Sequence, residues 1–309
     1  TFKNASISDS EFVGNVAAAN GGAIYNHKLV ATTSGTPTGL GGILSLNNNV
    51  FKSNKANKGG AIYNDSTISL TGDTQVVENS ASNTGGAIFN ADSGKITEIS
   101  NALFQGNKAE NYKDAKASLT EDVYAQGGAI YNCGEIVAVT DDFSNNTAHT
   151  NSETSSKATA NGGALALYQS TIESITGNFV GNAAIAEIVG KNHDYSDDMV
   201  SKDKLVSAGG GAIHIEGKWA TGDTTKIGSI NGNFVNNSAT GDAYANGGAI
   251  YIKAGPDTDV SIDKITGDFI KNKVVAVTDN KDIAKTSTGG AISIKEASGK
   301  NATVEVEGN

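Results

Sequence analysis

Short apolar runs recur along the whole chain and never lengthen into a helical stripe. Ile68-Ser69-Leu70, Ile136-Val137-Ala138-Val139, Ile227-Gly228-Ser229-Ile230, Val260-Ser261-Ile262 and Val304-Glu305-Val306 are rich in β-branched residues and bounded by Gly, Asp, Asn and Thr. Such runs predict strands. No long segment places apolar residues at i, i+3 and i+4, so helix is confined to a turn or two inside an inserted arc.

The strands belong to a repeat. Gly-Gly-Ala-Ile, once Gly-Gly-Ala-Leu, begins at Gly21, Gly59, Gly85, Gly127, Gly162, Gly210, Gly247 and Gly289. It alternates strictly with Phe-x-x-Asn, at Phe12/Asn15, Phe51/Asn54, Phe104/Asn107, Phe143/Asn146, Phe179/Asn182, Phe234/Asn237 and Phe269/Asn272, with Val76/Asn79 in the remaining slot. A motif spread over the whole length means one supersecondary unit stacked repeatedly. The arc from Gly-Gly to the next Phe or Val is usually tight, 16 to 19 residues in the four units from Gly59 to Phe179, whereas the arc from Phe to the next Gly-Gly varies widely. Residues 108–126, 147–161, 183–208 and 273–288 are therefore expected to be inserted loops on one side of a rod.

Period two assigns the faces within each Gly-Gly-Ala-Ile strand. The fourth position, always Ile or Leu, points inward. The fifth points outward, and there Tyr25, Tyr63, Phe89, Tyr131 and Tyr251 form an aromatic stripe suited to stacking on sugars or packing on a protein. The sixth position is Asn26, Asn64, Asn90 and Asn132, then Leu167, Ile215, Ile252 and Ile294, so the core changes character halfway. Gly-Gly makes a corner by positive φ and by close approach of successive rungs. The motif Asn is expected at a second corner, in the left-handed conformation, with its amide stacked on the Asn above and below. Aligned Phe rings stack beside it. The architecture expected is an all-β, right-handed parallel β-helix of about eight rungs forming a single domain over 1–309.

These two alternating motifs resemble the repeat of the chlamydial polymorphic outer membrane proteins and related autotransporter passenger domains, over nearly the whole chain. The resemblance implies a secreted, surface-displayed β-helix that acts as an adhesin on a host or neighbouring-cell surface protein or glycan. It implies contact with the outer membrane only through a translocator barrel. Chlamydial members are richer in Cys than this chain, which points to another lineage using the same repeat.

Composition narrows the alternatives. Net charge is −10, and the 23 basic residues are all lysine, which disfavours nucleic acid and anionic membrane as partners. The single Cys133 forms no internal disulfide and reads as a strand-edge thiol. Both ends fall inside the repeat pattern, as in a piece of a longer passenger. A polysaccharide-acting enzyme of the same architecture needs convergent acids and a cation. The available groups, Asp141-Asp142, Lys264 with Asp268, and the His193-Asp194-Tyr195-Ser196-Asp197-Asp198 loop, are scattered, so no catalytic residue, metal or cofactor is assigned. His27, His149 and His214 read as surface polar residues. A structural fibre that associates with itself is the remaining alternative.

Overall fold

The computed structural model describes residues 4–27, 42–113, 122–152, 158–168, 170–188, 206–217, 225–255, 257–277, 286–297 and 300–307. Among these residues the regular secondary structure is strand without helix, and the strands pair in parallel. Three sheets wrap one core and make the expected parallel β-helix.

Sheet C contains the eight strands that follow the Gly-Gly pairs, from Ile24–His27 to Ile292–Lys295. Its register does not slip: Ile88 lies opposite Ile62 on one side and Ile130 on the other. Sheet A runs from Ala5–Ser8 through Lys95–Gln105 and Glu135–Ser144 to Ala302–Glu307, and also takes in the short strands that carry the Phe positions. Sheet B closes each rung between the motif Asn and the next Gly-Gly.

The core is a set of columns, each made of one residue per rung. Ile62, Ile88, Ile130, Ile213 and Ile250 are fully buried beneath sheet C, and Phe51, Phe104, Phe143, Phe179 and Phe234 are fully buried beneath sheet A. The Phe rings stack as expected: Phe143 and Phe179 are 5.1 Å apart at 4°, and Phe179 and Phe234 are 4.9 Å apart at 3°. Val76, also fully buried, interrupts the stack between Phe51 and Phe104.

Both glycines of the first corner do what the sequence requires. Gly127 has φ +66°, and a Cβ on Gly128 would lie 2.0 Å from the carbonyl oxygen of Gly163 in the next rung.

The second corner corrects the sequence expectation by one residue. The left-handed conformation falls on the residue before each motif Asn: on Ser53 (φ 54°), Glu78 (φ 56°), Asn145 (φ 54°), Asn236 (φ 55°) and Lys271 (φ 54°). It does not fall on Asn54, Asn79, Asn146, Asn237 or Asn272 themselves. A turn completed one residue early lets the motif side chain point into the rod instead of standing at its corner. Asn54, Asn79, Asn107, Asn146, Asn182 and Asn237 are accordingly fully buried. Their amides form the expected ladder from the inside. Asn54 Nδ2 donates to Asn79 Oδ1 and Asn79 Nδ2 to Asn107 Oδ1, both at 3.0 Å, and Asn182 Nδ2 donates to Asn237 Oδ1 at 3.1 Å. Each also caps the carbonyl of a Phe-column residue, as Asn146 Nδ2 does for Phe104 at 3.0 Å and Asn237 Nδ2 does for Phe179 at 2.8 Å. The same bonding extends from Asn15 to Asn272, and every buried amide along this line has a partner in the next rung.

A second amide ladder runs Asn26, Asn64, Asn90, Asn132 at 2.6 to 2.7 Å and ends where Asn132 donates to Ser170 Oγ. Beyond it the sixth column becomes Leu167, Ile215 and Ile252, all fully buried. The core therefore changes from amide to aliphatic at the predicted rung.

The arcs 108–126, 147–161, 183–208 and 273–288 are not loops from end to end. Each leaves as one strand of sheet B and returns as another: Lys108–Lys113 and Val123–Gln126, Thr147–Ser152 and Ala158–Asn161, Ala183–Ile188 and Ser207–Gly209, Lys273–Ala276 and Thr286–Thr288. The middles of these arcs lie outside the described residues. Sheet B forks at Ser80–Thr84, which pairs through Ser80 and Ala81 with the outgoing branch and through Thr84 with the returning one. Ala184, Ala186 and Ala239 of the outgoing branch and Ala158, Ala160 and Ala208 of the returning branch form one buried cluster. Alanine is small enough for two strand layers to meet closely, so each arc builds a thin fin with its own core.

Candidate functional site

The outer face of sheet C carries the aromatic column. Tyr25 and Tyr63 are 5.1 Å apart, Tyr63 and Phe89 5.0 Å, and Phe89 and Tyr131 5.1 Å, with interplanar angles of 24°, 6° and 19°. These rings stack along the rod axis, so their faces are engaged by one another and their edges and hydroxyls face outward. Ala166 leaves the next rung without a ring at this position. Tyr168, two residues on and therefore on the same face, fills the gap, 5.3 Å from Tyr131 and 5.5 Å from His214. Regular stacking then ends: His214 meets Tyr251 at 61°.

Exposure differs along this column. Tyr25, on the end strand of sheet C, is 52% exposed, whereas Phe89 is 8%, Tyr251 6% and His214 only 1% exposed. The returning branch of sheet B stands beside sheet C from the fourth Gly-Gly onward, and the angle between them is a groove of about 850 Å³. Its floor includes Tyr131, Tyr168, His214 and Tyr251; its wall includes Tyr124, Thr159, Ser207 and Tyr244.

Polar chemistry is concentrated there. The Tyr168 hydroxyl accepts from Gln126 Nε2 at 2.7 Å and from Asn161 Nδ2 at 2.9 Å, bridging wall and floor. Burial raises the pKa of Tyr131, Tyr168 and Tyr251, so these phenols stay protonated. His214 Nε2 donates to Glu216 Oε2 at 3.0 Å, and the other Glu216 oxygen receives Lys253 Nζ. Burial pushes the Glu216 carboxyl up, but the bond from His214 and the ammonium of Lys253 outweigh it and hold the pKa at about 2. Burial likewise lowers the pKa of His214, against the pull of Glu216, so the imidazole is neutral with its proton on Nε2. His214 is thus a buried groove residue and not a surface one. Its Nδ1 and the Thr159 hydroxyl are buried without a hydrogen-bond partner. Gly209 makes the fit possible, since a Cβ there would lie 2.5 Å from the Tyr251 ring.

The other residues singled out in the sequence are dispersed. Asp141 is buried and accepts from the Ala102 N–H, while Asp142 accepts from the N–H of Asn178 at 2.7 Å. Lys264 pairs with Glu307 at 2.6 Å. His27 contacts Asp65 at 2.8 Å and His149 contacts Glu187 at 3.3 Å. Cys133 is half-buried at the groove rim. The segment 193–198 lies outside the described residues. Sequence reasoning missed Tyr124, Thr159, Tyr168, Ser207 and Tyr244. One signal was present: Ala125, Ala160, Ala208 and Ala245 each stand two residues before a Gly-Gly and alternate with polar or aromatic neighbours, as a strand with one small buried face does.

No curated protein and no solved structure matches the chain significantly. The family model of the Chlamydia polymorphic membrane protein repeat matches residues 9–27, 50–65 and 101–133. Each segment holds one Phe-x-x-Asn and one Gly-Gly-Ala-Ile, and the same pair recurs in the units beyond them. These three segments therefore carry the repeat of the Chlamydia polymorphic membrane protein family.

Proposed function

We propose that the chain is the surface-displayed passenger of an autotransporter-type adhesin, held at the outer membrane by a translocator barrel and binding a protein or glycan on a host or neighbouring cell. One observation carries this reading: the rod's repeated residues are consumed by its interior, while an aromatic column stands outside it, open at Tyr25 and walled by the fin further along. The family repeat supports surface display. Half-exposed aromatics on a rigid scaffold bind with little loss of conformational entropy. A binding role also suits the dispersal of the acids and cations among structural pairings.

The experiment is binding of the purified chain to cultured epithelial cells, with a Tyr25→Ala/Tyr63→Ala variant beside it. Binding should fall at least tenfold while the melting temperature changes little. Unchanged binding would remove the open stripe from the contact surface.

A further inference from the structure

Tyr124 and Tyr244 stand in one column of the groove wall, with Thr159 and Ser207 between them. At ~4.8 Å per rung the two tyrosines are roughly 14 Å apart. Both are half-buried, and neither ring is stacked on another ring among the described residues. Between them the wall steps back to the small side chains of Thr159 and Ser207, opposite Tyr168 and His214 of the floor. Ser207 is half-buried here, while Thr159 is 8% exposed with its hydroxyl oxygen turned away from solvent.

We infer that the recess binds a neutral, linear oligosaccharide laid along the rod axis. The inference rests on the reading of the chain as a binding passenger and names what one of its surfaces takes. The backbone groups of sheets B and C bond from rung to rung, so an occupant running along the axis meets side chains only. An extended peptide gains nothing there, because strand addition needs a sheet edge and those edges lie at the ends of the rod. Its repeat of ~3.4 Å per residue also fails to match the ~4.8 Å spacing of the rungs. Sugar hydroxyls both donate and accept, as do the hydroxyl of Ser207 and the amides of Asn161 and Asn246. The unstacked rings of Tyr124 and Tyr244 supply apolar surface for the C–H faces of sugar rings. Charge favours a neutral chain over an acidic one: the carboxylates of Asp92 and Glu216 are matched by the ammonium groups of Lys253 and Lys295.

The test titrates the whole chain with cellohexaose, maltohexaose and chitohexaose by calorimetry, with hexagalacturonate as the acidic counterpart. At least one neutral hexasaccharide should bind saturably. Ser207→Tyr, which puts a ring into the recess from an outward position, should weaken it tenfold or more at an unchanged melting temperature. Tyr124→Ala should do the same by removing one wall, and serves if Ser207→Tyr disturbs the fold. Binding of hexagalacturonate alone, of no sugar, or of a neutral sugar equally to both variants would overturn the inference. Cell binding measured on the same samples separates the two readings: sugar-binding failure with intact cell binding removes the oligosaccharide groove and leaves the adhesin standing.

Discussion

Tyr25 and Tyr251 hold the same position in their respective rungs, yet Tyr25 is 52% exposed and Tyr251 is 6% exposed. The difference arises from what stands beside each ring. Tyr25 lies on the end strand of sheet C, which pairs on one side only, whereas Tyr251 lies between His214 and Ser293 and lines the groove beside the returning strands of sheet B. The surface of the rod thus changes along its length while its core columns repeat.

The interior predicts a graded response to loss of an amide. In Asn146→Ala the N–H and Nδ2 of Asn107 lose their acceptor, and the Phe104 carbonyl loses a donor. Each buried group left unpaired costs about 1–3 kcal/mol, so the loss should be about 3 kcal/mol or more. Asn15→Ala, at the partly exposed end of the ladder, should cost far less. Denaturant midpoints of the two variants check the order.

Phe143 is fully buried between Phe104 and Phe179. Phe143→Ala should destabilise the chain by roughly 3–5 kcal/mol and lower binding in step with the folded fraction. Reduced binding at an unchanged melting temperature would place Phe143 in the contact surface and contradict its role in the core.

Glycines at the corners separate space from conformation. Gly14 has φ +66° with nothing within 4 Å of an added Cβ, so Gly14→Ala should cost only roughly 1–2 kcal/mol, the strain of a left-handed L-residue. Gly128→Ala should be far worse, because its methyl would lie 2.0 Å from the Gly163 carbonyl oxygen and force two rungs apart. Thermal melts of the pair should differ by several degrees.

Asp141 gives the fold a pH dependence. Burial raises its pKa, the Ala102 N–H opposes that, and Asp142 and Glu98 add to it, leaving the carboxyl at about 7 against an ordinary value of 3.8. A carboxyl with a raised folded pKa favours the fold when protonated. Its contribution is complete below the unfolded value and disappears as pH rises to about 7. Asp141→Asn keeps an acceptor for Ala102 and removes the charge, so it should gain melting temperature relative to the parent as pH climbs from 4 to 8. A difference that stays constant over that range would show that Asp141 does not titrate in it.

Much of this was legible because solenoid columns repeat their chemistry. Ile130 and Ile213, Phe143 and Phe179, Asn146 and Asn182 announce their positions by recurring, and one rung's geometry implies the next. The left-handed corner was misplaced by one residue because Asn145 and Asn146 are both compatible with positive φ, and only the hydrogen bond from Asn146 to the Phe104 carbonyl decides between them. At Asn54 and Asn79 the residue before is Ser53 or Glu78, which carries no such preference, so the turn there is imposed by the buried amide that follows. The fin was read as loop because its strands alternate alanine with polar residues, as in Ala158-Thr159-Ala160-Asn161, a pattern with little apolar contrast. The burial of His214 depends on Gly209 and Tyr251 in other strands, and the place of Tyr168 on the absence of a ring at Ala166. No single strand encodes either.

The central claim is that the repeated residues build the rod and the outward aromatic face binds. The most direct measurement is cell binding and melting temperature on the same samples of the parent, Tyr25→Ala/Tyr63→Ala and Asn146→Ala. The account predicts that the tyrosine variant loses at least tenfold in binding with its melting temperature nearly intact, and that the asparagine variant loses binding only as far as it unfolds. Full binding by the tyrosine variant, or lost binding by a fully folded Asn146→Ala, would contradict it.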